Sequence, residues 1–453
     1  MASTIIQRTQ TGGDTQKLTM STWVKRQTLS AYNGLISTYS DDSNRGAIYF
    51  QNVNDRFTIY FKNSGSDHIF LETDRVFRDI SAWYHIVVSI DTTESTESDR
   101  VKLYVNGVRE TDFDTETYPS LNSNFSTFHV NGIAAKIGTI QYGSGPTLGI
   151  FGGTLAHFHW IDGTAYDAST FGQTDNTTGI WTSKSSPSVT YGTNGFFLKF
   201  ANSGSMGTDS SGNGNNFTVA AGTLTQTQDT PSNVFCCLNP LTKRDGGTLT
   251  NLNTTYEAST ADSSVFGTLA VPAGMKVYFE VKLDSNTAQN FLGIHNKYDG
   301  GDGAFVKGGS EAGCYGLKVR GSASVVQYFN NGSSTDTAIN NYSNGTIIGV
   351  AIDNANGQIH YHVNGTYINS SDPSDNNPAA LVTGFDTSVE QYLHFSLDTT
   401  ATQPKNSFNF GNGYFGTTAV SSANSDDAGL GLFEYAPPTG YYSLCTKNIN
   451  TYG

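Results

Sequence analysis

Twice an alternating apolar strand runs straight into Asn-Gly: Val101-Lys102-Leu103-Tyr104-Val105-Asn106-Gly107 and, much later, Ile359-His360-Tyr361-His362-Val363-Asn364-Gly365. Each is preceded by a second apolar strand ending in Ile-Asp, Val87-Val88-Ser89-Ile90-Asp91 and Gly349-Val350-Ala351-Ile352-Asp353. Asn-Gly tolerates positive φ at both central positions of a type I′ turn, the turn whose twist suits an antiparallel hairpin. Each segment therefore reads as strand, loop, strand, tight turn, strand, and the device marks two separate β modules.

Other stretches carry the period-2 pattern of half-buried strands. Phe57, Ile59 and Phe61 point one way while Thr58, Tyr60 and Lys62 point the other, and Trp83–Ile90 has the continuous apolar character of a central strand. Phe128–Gly132 reads as a further strand with its own Asn-Gly stop. Residues 154–161 place Ala156, Phe158 and Trp160 on one face, with His157 and His159 on the other. In the second module Val277, Phe279, Val281 and Leu283 alternate inward, and further strands follow at the spacing of a sandwich through Phe408–Gly411. The aromatic stretch Tyr435–Cys445 is predicted to pack back on that sandwich.

Length fits two such cores: 453 residues exceed one ordinary sandwich. Between them, residues 201–247 shift towards Gly, Ser, Asn, Asp and Thr, which favours turn-rich chain. The reading is an all-β protein of two tandem antiparallel β-sandwiches, residues 1–200 and 248–453, with 201–247 connecting them.

Charge narrows the partners. A formal net charge of −14 without a basic stripe argues against nucleic acid. Residues 1–8 lack the apolar core of a signal peptide and no stretch reaches the roughly 20 apolar residues of a membrane span, so the chain is expected to be made soluble, without a secretion signal and without membrane insertion. Cys236, Cys237, Cys314 and Cys445 have no metal-ligand spacing, and the adjacent pair makes a strained disulfide, so buried thiols are expected.

The chemistry-bearing residue types form no catalytic constellation. A sandwich glycosidase needs two carboxylates about 5–9 Å apart, commonly on alternate residues of one strand. Glu94, Glu97 and Asp99, the densest acidic cluster, lie in a Ser/Thr-rich loop and read as a solvated turn. His157/His159 and His360/His362 each put two imidazoles on one strand face, where zinc could find half of a ligand set, but outward polar faces explain both pairs. The loops Asp299–Gly303 and Asp209–Asn216 resemble fragments of calcium loops and read as turns. No residue is assigned a catalytic or metal-ligating role, no cofactor is expected, and the ligand-binding residues stay open. Tyr32, Tyr142, Trp181, Tyr191 and Tyr298, which fall outside the alternating core pattern, are the candidates for stacking on sugar rings.

Residues 18–199, with Ser21–Arg26, Trp83–Val88 and Lys102–Gly107, resemble a concanavalin A-like (laminin-G-like) jelly roll. Residues 277–410, with Tyr278–Val281, Gly349–Asp353 and Gly357–Gly365, resemble a SPRY-type sandwich. Together with Asp209–Asn216, Asp229–Asn233 and Ser443–Asn448, the combination is similar to virion proteins of marine tailed phages. That resemblance implies a non-enzymatic tail-fibre or appendage subunit at the virion surface, commonly a homotrimer, meeting other virion proteins and a host-surface glycan or receptor. It leaves a capsid decoration or connector, and a glycan depolymerase, as the alternative functions. The jelly-roll pattern begins almost at Met1, which implies that no long anchoring rod precedes it.

Overall fold

The computed structural model describes residues 4–142, 148–244, 246–258, 263–285, 289–298, 309–320, 325–338, 342–375, 379–398 and 403–453. The chain divides into two compact units, Met1–Gln226 and Thr227–Gly453. Each is an antiparallel β-sandwich. The segment 201–247 contributes to both: Thr218–Ala221 pairs with Ile5–Thr9 in the first unit, while Cys236 and Leu238 enter the core of the second. No helix among the described residues is long and apolar enough to cross a membrane.

In the first unit an eight-stranded sheet runs in the order Phe113–Thr117, Ser66–Val76, Arg56–Asn63, Asn44–Phe50, Asn33–Asp41, Ala134–Ile137, Ile5–Thr9 and Thr218–Ala221. It faces a six-stranded sheet ordered Phe196–Leu198, Gly153–Asp162, Lys17–Arg26, Tyr84–Asp91, Val101–Val105 and Val108–Arg109. Alternation fills the space between them: Ile48, Phe50, Phe57, Ile59, Phe61, Ile69 and Leu71 come from one sheet, and Ile86, Val88, Ile90, Leu103, Phe158 and Trp160 from the other.

Two expectations change here. Phe128–Gly132 is a turn, not a strand, and the strand begins at Ala134. His129 sits at φ +59 because its ring is a buried tie: the Trp160 indole N–H donates to its Nε2 at 2.7 Å, so Nδ1 carries the proton and donates to the Asp14 carbonyl. The even alternation of residues 154–161 is broken by a bulge between Ala156 and His159, with His157 at φ +49. Phe158 and Trp160 reach the core, but Ala156 is only half-buried.

The second unit pairs a nine-stranded sheet with a six-stranded one. The first contains Thr255–Glu257, Lys405–Asn409, Lys276–Ser285, Ile347–Asp353 and Gln358–Val363 in that order. The second runs Ser263–Val271, Gln391–Asp398, Gln289–His295, Cys314–Arg320, Val325–Asn330 and Ser333–Ala338. Val277, Phe279, Val281 and Leu283 lie in the core, as their alternation predicts. The C-terminal stretch does pack back: Phe433 and Tyr441 bury against Tyr278 and Ala351 on the outer face of the larger sheet, and Tyr442–Ser443 pairs with Lys276–Ser285. All four cysteines are buried and none forms a disulfide.

The two Asn-Gly turns have the same construction. Asn106 and Gly107 stand at φ +49 and +82, Asn364 and Gly365 at +47 and +87, the left-handed pair that a type I′ turn requires. In each, the asparagine also carries on the ladder with its side chain. Asn106 Oδ1 accepts from the His85 N–H at 2.8 Å, and Asn364 Oδ1 from the Ile347 N–H at 2.9 Å. An aromatic ring caps each glycine: a Cβ on Gly107 would lie 2.6 Å from Trp181, and one on Gly365 2.9 Å from Tyr435. Valine at either position meets both left-handed strain and a ring. Gly107→Val and Gly365→Val should each cost their own unit about 3 kcal/mol, read as a drop in the denaturation midpoint.

Candidate functional site

The face of the eight-stranded sheet turned away from the core carries aromatic residues that alternation puts opposite the buried set. Ala47 pairs with Tyr60 and Tyr60 with Phe70, so these three form one row across adjacent strands. Arg45 and Tyr49 flank the row on the strand of Ala47. Two loop residues complete the strip: Tyr32 lies before the strand Asn33–Asp41, and Tyr142 beyond the strand Ala134–Ile137. Ser37 holds that second approach, donating from Oγ to the Thr139 carbonyl at 2.8 Å and accepting from the Gln141 N–H at 3.0 Å.

The geometry is that of an aromatic strip held by edge-on and cation–π contacts. The Arg45 guanidinium lies 4.5 Å from the Tyr142 ring centre and 5.6 Å from that of Tyr60. Tyr32 meets Tyr49 edge-on at 5.9 Å, and Tyr60 meets Phe70 at 5.4 Å. Cation–π and edge contacts of this kind hold rings in place at about 0.5–1 kcal/mol each. Tyr32 and Tyr142 remain 37% and 47% exposed, which sets them apart from the buried aromatics inside the sandwich. Polar groups border the rings: the Tyr60 hydroxyl donates to Asp67 at 2.8 Å, and Gln51, Asn54 and Arg56 converge on the Glu72 carboxylate at 3.0, 3.1 and 3.4 Å. Apolar ring faces beside fixed donors and acceptors match the alternating C–H and hydroxyl surfaces of a saccharide.

The other sequence candidates fall elsewhere. Trp181 and Tyr191 belong to residues 163–195, which cover the outer face of the six-stranded sheet around Val87, Ile161 and Phe171. Trp181 donates its indole N–H to His85 Nδ1 at 2.9 Å, so the His85 Nε2–H donates to the Ser21 hydroxyl at 2.9 Å. Burial, with His157 nearby, holds the His85 pKa down at about 3. His159 stacks on Phe197 at 3.8 Å and shares a 2.8 Å hydrogen bond with the Tyr191 hydroxyl, so its ring serves packing. In the second unit His362 is bound at both nitrogens, by the Gly365 N–H at 3.1 Å and the Tyr278 hydroxyl at 2.7 Å. Among the described residues, no group of three or more His, Cys, Asp or Glu side chains is placed to hold a metal ion.

The acidic loop is neutralised by cations. Lys102 reaches Glu94 at 4.0 Å and Asp99 at 3.8 Å, Arg109 reaches Asp99 at 2.9 Å, and Lys17 reaches Asp91 at 2.9 Å beside them. Lys17, Asp91, Glu94, Asp99 and Lys102 line a polar groove of about 390 Å³. In the loop 209–216, the Asp209 carboxylate accepts from the backbone N–H groups of Phe197, Ser211 and Asn215 at 2.8–2.9 Å, a clasp that uses the oxygens a calcium ion would need. Asp299–Gly303 lies outside the described residues. Tyr298 stands exposed on the second unit.

Sequence reading found Tyr32 and Tyr142 but missed Arg45, Tyr49 and Phe70 as their companions. The signal was present, because each alternates with core residues on neighbouring hairpin strands, yet only the register brings them into one strip.

Comparison with known proteins agrees with the first unit's architecture. Residues 3–149 match the family model described as the concanavalin A-like lectin/glucanases superfamily, of laminin G type. The first unit thus contains a concanavalin A-like, laminin G-like domain, within a protein of two tandem β-sandwiches. Among solved structures, the chain is similar to a heptameric SAP-like pentraxin from Limulus polyphemus, with 14% identity, 35% of this chain and 70% of that one covered, and a TM-score of 0.27. It is also similar to the SPRY domain of human HERC1, with 11% identity, 38% and 96% covered, and a TM-score of 0.28. For domains LG4–5 of the mouse laminin α1 chain the values are 8% identity, 87% and 78% covered, and a TM-score of 0.28. No curated protein matches the chain in sequence.

Proposed function

We propose that this chain is a non-enzymatic surface protein of a virion, a tail-fibre or appendage subunit of the marine tailed-phage type. In this reading the concanavalin A-like unit holds a host-surface glycan on the outer face of its eight-stranded sheet, and the second unit is a SPRY-type sandwich. The observation that carries it is the strip of Tyr32, Tyr142, Arg45, Tyr60 and Phe70 beside the buried Tyr49, in which Tyr32 and Tyr142 stand exposed and ring and guanidinium contacts hold the side chains in place. A single stacked ring binds weakly. Assembly as a homotrimer multiplies such contacts through effective concentration, which suits attachment to a repetitive polysaccharide.

Because the chain carries a net charge of −14, approach to an anionic envelope depends on salt screening. Binding to whole cells should weaken as ionic strength falls. The direct test is retention of the purified full chain on immobilised host polysaccharide. Tyr142→Ala should weaken retention at least tenfold, the loss of about 1.4 kcal/mol, with the melting temperature unchanged since the ring is half in solvent. Equal retention of wild type and Tyr142→Ala would place the glycan elsewhere.

A further inference from the structure

The second unit has its own aromatic column, which reaches the surface at an open groove. On the strand Gln391–Asp398, Leu393, Phe395 and Leu397 point into the core, so Tyr392 and His394 point to the opposite face. There His394 stacks on Phe266 at 4.8 Å, Phe266 meets Tyr298 edge-on at 5.6 Å, and Tyr298 meets Tyr392 at 5.3 Å. The column is buried at His394 and Phe266 and ends in Tyr298, 43% exposed.

Both outer hydroxyls are tied down. Asn239 Nδ2 donates to the Tyr298 hydroxyl at 2.8 Å, and the Tyr392 hydroxyl donates to Glu390 Oε1. Solvent-facing rings are thereby fixed in orientation before any ligand arrives, which lowers the entropic cost of binding. Beside them lies a groove of about 500 Å³ lined by Pro272, Ala273, Asn296, Val389, Glu390 and Tyr392. That volume falls within the roughly 300–1,000 Å³ of small-ligand clefts.

We infer that this groove is a second saccharide-binding site, selective for neutral or amino sugars. Pro272, Ala273 and Val389 give an apolar floor for the C–H face of a pyranose, with the Tyr392 ring in the groove wall and the Tyr298 ring packed against it at the rim. The Asn296 amide offers one donor group and one acceptor to ring hydroxyls, and the Glu390 carboxylate accepts from hydroxyl or ammonium groups. The same carboxylate repels the carboxylates of uronic acids, so the groove discriminates by charge. Two sites on one chain would let each subunit grip two residues of a polymer, or two different glycans.

The inference rests on the reading of this chain as a glycan binder, and the test separates the two. The full chain is titrated calorimetrically with neutral hexose oligosaccharides, N-acetylhexosamine oligosaccharides and oligouronates, using wild type, Tyr142→Ala, Tyr298→Ala and the double variant. Tyr142→Ala should keep one site per chain that takes the neutral or amino sugars at least tenfold more tightly than oligouronates. Adding Tyr298→Ala should weaken that remaining site at least tenfold, and Glu390→Gln should narrow the discrimination against oligouronates. Tyr298 is exposed, so its melting temperature serves as a control for intact folding. Binding that Tyr142→Ala alone abolishes, or that Tyr298→Ala leaves unchanged, overturns the second site and spares the first. Absence of binding by wild type to all three sugars overturns both.

Discussion

Glu280→Ala is expected to lower the stability of the second unit by about 4 kcal/mol. The side chain is fully buried, and its two oxygens accept four hydrogen bonds. Oε1 takes the Tyr435 N–H at 2.7 Å and the Tyr278 hydroxyl at 3.1 Å; Oε2 takes the Glu434 N–H at 2.9 Å and Asn409 Nδ2 at 3.1 Å. Two of these donors are backbone groups of the C-terminal stretch, so the carboxylate pins that stretch to the outer face of the sheet. Asn409 cannot turn away, because its Oδ1 holds the N–H groups of Gly411 and Gly413, each at 3.0 Å. Burial pushes the Glu280 pKa up to about 7 while the four donors pull it down. Truncation leaves all four donors dry. Glu280→Gln keeps Oε1 but turns an amide N–H₂ towards two N–H donors, and should cost about 2 kcal/mol. Calorimetric unfolding measures both. The first unit should be unaffected, and its tryptophans report it separately, since Trp23, Trp83, Trp160 and Trp181 all lie in Met1–Gln226.

Arg26→Ala should cost the first unit about the same, roughly 3–5 kcal/mol. Its guanidinium is fully buried, 2.9 Å from Asp55, and donates to the carbonyls of Phe77 and Thr28 at 2.5 and 3.1 Å, with the Phe50 ring 4.5 Å away. Asp55 in turn stands at φ +59 and accepts from the Ser30 N–H at 2.8 Å. Removing the arginine strands a buried carboxylate, whose one other cation among the described residues is the exposed Arg78 at 3.4 Å. Most of the loss comes from that stranded charge rather than from the attraction itself, so Arg26→Met combined with Asp55→Asn should recover the larger part. Asparagine tolerates the left-handed backbone and still accepts from Ser30. Tryptophan emission during chemical denaturation gives both values. A double variant no better than Arg26→Ala would assign the stability to the ion pair instead.

The sandwiches were legible because alternation and the two Asn-Gly turns are local signals. Val277, Phe279, Val281 and Leu283 reveal their face without reference to any partner strand. What stayed hidden depends on distant parts of the chain. The bulge at His157 depends on packing against Phe197, and the turn at His129 on a hydrogen bond from Trp160, 31 residues away. The covering segments 163–195 and 411–445 have no period, since irregular chain packs by individual anchors such as Trp181, Phe433 and Tyr441. Of the five aromatics singled out from sequence, Tyr32 and Tyr142 meet in one strip because the register of three hairpin strands aligns their companions. Trp181 and Tyr191 are equally aromatic and equally outside the alternating pattern, yet histidines on the sheet below claim their polar atoms.

The central claim is that this chain holds glycans without cutting them. Incubating the full chain with host-surface polysaccharide, then measuring bound protein and newly formed reducing ends in the same sample, tests both halves at once. Retention of protein with no rise in reducing ends is the predicted result; a rise in reducing ends that grows with protein concentration, or no retention at all, would contradict it.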